Sequence, residues 1–180
     1  MGCNAMKSKD IAIVGILLAI GAILRFFLAM LHTPLTPNMI IAFYCLAIIL
    51  IQPKIYEALG IGIVAGILSM LISSSMFPPA NLISEPLGAL VCFGLYAMLK
   101  NRTKLAPTAT TFITTLVSGF SFAAIAIIFV SATVLKKYNG DIWSFVIVFV
   151  PIVVITAIFN AVIVQILYMP SNRVLSRGQE

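Results

Sequence analysis

Six stretches of the chain are apolar enough to lie in lipid: residues 11–31, 38–52, 55–73, 82–99, 108–135 and 143–168. A bilayer core about 30 Å thick needs roughly 20 residues of helix, and five of the stretches reach or approach that length. The continuous apolar part of the second, 39–51, is shorter. It needs Pro37, Asn38 or Gln52 to complete a crossing, or it stops inside the membrane. Polar and proline-bearing segments separate the runs. The pattern predicts an all-α integral membrane protein, a six-transmembrane-helix bundle making one transmembrane domain over residues 1–180.

Composition adds an exclusion. With 62% hydrophobic and 9% charged residues and a mean hydropathy of +1.16, the spans leave no room for a soluble nucleotide-binding or catalytic lobe. Lys7, Lys9 and Asp10 precede an apolar stretch too long for a signal-peptide core, and no small-residue cleavage site follows, so no cleaved signal is expected. Met6 stands where a myristoylation motif requires Ser or Thr. Cys3, Cys45 and Cys92 are scattered and read as packing residues, neither a disulfide framework nor a metal site.

Charge orients the bundle. Lys7, Lys9, Lys54, Lys100, Arg102, Lys104, Arg173 and Arg177 fall on one side of the spans, and only Lys136 and Lys137 on the other. Basic residues are retained in the cytoplasm. Both termini are therefore expected to be cytoplasmic, in a multi-pass cell-membrane protein. The net charge of +6 is a topology signal, and no nucleic-acid partner is expected.

Two charges, Arg25 and Glu85, fall inside the spans at a similar depth near the outer face. Each costs roughly 2.5–3.5 kcal/mol on insertion scales, so each needs a partner or a role. They can pair with each other, or hold the two ends of an amino acid; Arg25 can also snorkel. Asn38 is placed to cap the second helix and Asn81 or Ser84 the fourth, with Glu85 in the first turn ahead of Pro86. The outer connections, 32–38 and 74–81, carry no fixed charge and suit lids; the first contains His32, an interfacial residue. Gly15, Ala19 and Ala22 form a small-residue stripe on the first helix, fit for packing within the bundle or for docking a partner subunit. Gly60, Gly62, Gly66 and Ser69 predict close packing of the third helix. In the last two helices, the threonines from Thr108 to Thr115 can bond back to the backbone. Asn160 and Gln165 read as interhelical hydrogen-bond partners, and Pro151 as a kink.

No catalytic set emerges, and the chain is not expected to be an enzyme. Gly119-Phe120-Ser121-Phe122 resembles a serine-nucleophile motif, but His32 is the sole imidazole and sits at the wrong depth. No acid pair, no metal-ligand cluster and no phosphate-binding loop appears, so no cofactor is expected.

The six helices, inward termini and small residues on the first helix resemble the S-components of energy-coupling-factor transporters. A closer likeness, to the tryptophan-transport branch, rests on Thr36-Pro37-Asn38-Met39, on Ile49-Leu50-Ile51-Gln52-Pro53-Lys54 and on Asn81-Leu82-Ile83-Ser84-Glu85-Pro86. The resemblance implies a subunit that captures tryptophan in an outward-facing pocket and docks through Gly15, Ala19 and Ala22. Its partners would be a membrane-embedded T-component and ATPase subunits. Glu85 would take the substrate ammonium, Arg25 and Asn38 its carboxylate, with Asn81 nearby. Phe77, Met39 and Phe26 would line the ring site. A stand-alone secondary transporter and a non-transport membrane scaffold remain as alternatives.

Overall fold

The computed structural model describes residues 6–30, 37–75, 77–137 and 142–177. His32 and the rest of 31–36 lie outside them, as does Met76. The described residues form six α-helices: α1 (Ser8–Met30), α2 (Ile40–Ile51), α3 (Ile55–Ile72), α4 (Asn81–Leu99), α5 (Ala106–Lys137) and α6 (Ile142–Arg177), with a 3-10 turn, Pro78–Ala80, leading into α4. Five helices are long and apolar enough to cross a membrane, and α2 is not. Large apolar side chains such as Ile16, Leu71, Ile128 and Ile147 stand on the outside of the bundle. Helices satisfy their own backbone polar groups, so such a surface is stable in lipid.

The short helix is the core. α2 packs against all five other helices, and Ile40–Ile49 are all buried. A helix that is apolar all round belongs in an interior. Its 12 residues reach about 18 Å, well short of a bilayer core. Neither Pro37 nor Gln52 extends it. Gln52 turns into the left-handed region at φ 50°, and its N–H donates to Ile48 O at 2.9 Å. Pro53 follows and cannot continue a helix. The truncation at the other end leaves a gap over the start of α2.

α3 and α4 are joined by backbone contact. A Cβ on Gly66 would lie 2.7 Å from Asn81 O, and one on Gly62 would lie 2.7 Å from Pro86 Cα. Only glycine lets the helices approach this closely. Gly60 faces open space, so the expected packing holds for Gly62, Gly66 and the buried Ser69 but not for Gly60. The contact fixes the height of α4 beside α3, and with it Asn81 and Glu85.

The start of α4 differs from expectation. Pro78 and Pro79 preset a 3-10 turn that feeds straight into a helix beginning at Asn81. Glu85 is consequently beyond the first turn, and Pro86 is inside the helix. No side chain caps α4; Asn81 Nδ2 instead donates back to Pro78 O at 2.8 Å. The helix dipole falls off within one turn, so Glu85 depends on side-chain partners.

α1 turns Val14, Leu18, Gly21 and Arg25 inward. Gly15 and Ala19 face outward, Gly15 with nothing within 4 Å, while Ala22 is half-buried against the core. Packing within the bundle therefore does not account for Gly15. α6 runs through Pro151 and Pro170 as one continuous helix.

Candidate functional site

Over the start of α2 lies a cavity of about 660 Å³, open solvent at its mouth included. All six helices or their adjoining segments reach it. Arg25 of α1, Asn38 before α2, Ser73–Ser75 after α3, and Asn81 and Glu85 of α4 supply a polar wall. Gly119 and Phe122 of α5, with Phe149, Ile152 and Val153 of α6, supply an apolar one. The hydroxyls of Thr115, Ser118 and Thr156 interrupt it.

Glu85 is 1% exposed and Arg25 4% exposed. Glu85 Oε1 accepts from Asn38 Nδ2 at 2.5 Å, and Oε2 accepts from Ser118 Oγ at 3.2 Å. Asn38 Oδ1 meanwhile accepts the N–H of Ile40, the first residue of α2, at 3.2 Å. The N-cap position itself is Met39, without a side-chain cap, so Asn38 meets the helix start from one residue further out while steadying the carboxylate. Asn160 Nδ2 donates to Asn38 O at 3.1 Å and to Thr115 Oγ1 at 3.3 Å, tying α6 to the α2 start and to α5. Thr108 Oγ1 donates to Gln165 Oε1 at 2.5 Å. Asn160 and Gln165 thus bond between helices, as expected.

Arg25 Nε and Nη1 are buried with no hydrogen-bond partner among the described residues. No hydrogen bond or ion pair joins Arg25 to Glu85 there. Taking two charges out of water costs several kcal/mol each, and only close, well-directed contacts offset it. Opposite charges held in one cavity without touching leave unspent donors and acceptors for something between them.

Of the residues singled out in the sequence, Arg25, Asn38, Asn81 and Glu85 meet at the cavity, and Phe77, Met39 and Phe26 do not. Phe77 stacks on Phe129 of α5, ring centroids 5.8 Å apart. Met39 is buried in the core at 2% exposure, and Phe26 is 53% exposed beside Phe27. The aromatic surface comes instead from Phe122 and Phe149, the latter backed by Phe145 at 5.1 Å. Ser118, three residues before the Ser121 of the motif noted above, holds Glu85. The missed signal was periodic: Thr111, Thr115, Ser118 and Phe122 fall on one face of α5, and Phe145, Phe149, Thr156 and Asn160 on one face of α6.

Apolar helices around a buried, charge-bearing cavity define a multi-pass membrane protein with an internal polar site. The chain belongs to the tryptophan transporter family: the family described as tryptophan transporter TrpP matches residues 7–176. It is 29% identical over 177 residues to a "probable tryptophan transport protein" of Bacillus subtilis (strain 168), with 96% of each chain covered. No solved structure matches it. The family likeness read from the Pro37, Gln52 and Glu85 segments is thereby borne out.

Proposed function

We propose that the chain captures tryptophan from the outer face of the membrane in the cavity over α2. Glu85 takes the ammonium, Arg25 takes the carboxylate, and Phe122 and Phe149 hold the indole. Asn38 and Asn81 complete the polar wall. The observation that carries this reading is Arg25 and Glu85 sharing one cavity with an aromatic wall and with no contact between them among the described residues. A zwitterion with a ring has complementary parts. Calorimetry of tryptophan with the purified protein and with Glu85→Gln tests it. Charge-assisted hydrogen bonds contribute about 1.5–3 kcal/mol, so the variant should bind on the order of ten- to a hundredfold more weakly. Unchanged affinity would remove Glu85 from the ammonium site.

The energy source belongs to the same proposal. The chain acts as the S-component of an energy-coupling-factor importer, docking on a T-component driven by ATPase subunits. Gly15 and Ala19, exposed on α1, with Ala22 at the rim, offer a close-approach face. Uptake should cease when the ATPase subunits are absent and persist under a protonophore while ATP lasts. Collapse with the protonophore alone would favour a stand-alone secondary transporter.

A further inference from the structure

Two threonines reach the cavity from its apolar wall, and their protons are already committed. Thr156 Oγ1 donates to Ile152 O at 2.7 Å, and Thr115 Oγ1 donates to Thr111 O at 2.9 Å. A hydroxyl that has given its hydrogen to its own helix has only lone pairs left to offer a ligand. Thr115 already accepts from Asn160 Nδ2 at 3.3 Å. Ser118 spends its proton on Glu85. Thr156 is 6% exposed, its Oγ1 accepts from no donor among the described residues, and it lies on the α6 face that carries Phe149 and Val153 into the cavity. A ligand that covers this oxygen without offering a donor strips it of water at a cost.

We infer that Thr156 is the specificity-determining residue of the cavity, accepting the ring N–H of an indole and so selecting it over aromatic rings that lack a donor. The inference rests on the tryptophan reading above. An indole N–H donates and never accepts, which matches a hydroxyl whose hydrogen is bonded to its own helix and whose lone pairs are free. A phenyl ring, or an indole isostere with sulfur in place of N–H, leaves the Thr156 oxygen desolvated and unpaired. Shape alone discriminates such isosteres poorly, whereas a hydrogen-bonding group discriminates well.

The test is binding of tryptophan and of β-(3-benzothienyl)alanine, the sulfur isostere, to the full chain and to Thr156→Val and Thr156→Ser. The unaltered protein should prefer tryptophan by about ten- to a hundredfold, from the cost of an unmet buried acceptor. Thr156→Val should lose that preference: tryptophan weakens because its ring N–H goes unmet, while the sulfur isostere binds at least as tightly as before, showing an intact cavity. Thr156→Ser should restore it. Equal binding of the two ligands by the unaltered protein overturns the inference without any variant, and so does a preference that survives in Thr156→Val. Absence of tryptophan binding by the unaltered protein overturns the tryptophan reading itself, and the role of Thr156 with it.

Discussion

Gln52 is the one non-glycine residue at positive φ among the described residues, and it ends the central helix. Left-handed backbone costs a side-chain-bearing residue roughly 1–2 kcal/mol, which glycine avoids. Its compensation, a hydrogen bond from Lys100 Nζ at 2.5 Å, is exposed and weak in water. Gln52→Gly should therefore raise stability by about 1 kcal/mol, read as a higher melting temperature in detergent. A fall would show that the Lys100 contact outweighs the backbone term. In the cavity, Phe149→Leu keeps the wall apolar but removes a ring face. Aromatic contacts contribute about 0.5–1.5 kcal/mol beyond area, so tryptophan affinity should drop roughly two- to tenfold. Phe77→Leu, at a ring stacked on Phe129 outside the cavity, should leave affinity nearly unchanged by the same calorimetry.

The α3–α4 pair shows how an element positions chemistry it does not perform. Gly66 touches the Asn81 backbone and Gly62 touches Pro86 and Ala89, so the glycines of one helix set the register of the carboxylate on the next. Gly66→Ala must push the helices apart, at about 1–3 kcal/mol for overpacking, and should weaken tryptophan binding as Asn81 and Glu85 shift. Gly60→Ala meets nothing and should stabilise by about 0.5–1 kcal/mol through helix propensity. Thermal unfolding of the two variants should move in opposite directions; parallel shifts would deny the contact its role. The sequence displayed all three glycines alike. Which of them touched a neighbour depended on helix rotation, and helix rotation is set by packing.

For the whole molecule, the arrangement places one end of the bundle around the cavity and the other around Glu57, which accepts the Met6 and Lys54 N–H groups at 2.8 and 2.7 Å. Charge counting leads us to expect the Glu57 end in the cytoplasm. Single cysteines at Asn101 and Ser74, in a background lacking Cys3, Cys45 and Cys92, should be labelled by an impermeant maleimide from opposite faces, Ser74→Cys from outside. Tryptophan should slow labelling at Ser74, a cavity-lining position, and leave Asn101 alone. The reverse orientation would be incompatible with capture from outside.

Hydropathy alone determined that helices form, how many, and roughly where, because a bilayer demands long apolar runs with internally satisfied backbones; their ends were set by turn chemistry and packing. The rarity of charge in those runs marked Arg25 and Glu85, since each is expensive there. Asn38 and Asn81 were legible as helix-start residues, and as site residues only through the family likeness of their segments. What tertiary structure decided was company. α2 became a buried core helix because five neighbours cover it, and its shortness became a cavity. Phe122, Phe149, Ser118 and Thr156 joined the site because α5 and α6 turn those faces inward, while Phe77, Met39 and Phe26 were turned elsewhere. One-dimensional pattern gives the cost of burying a residue; only the fold says what it is buried against.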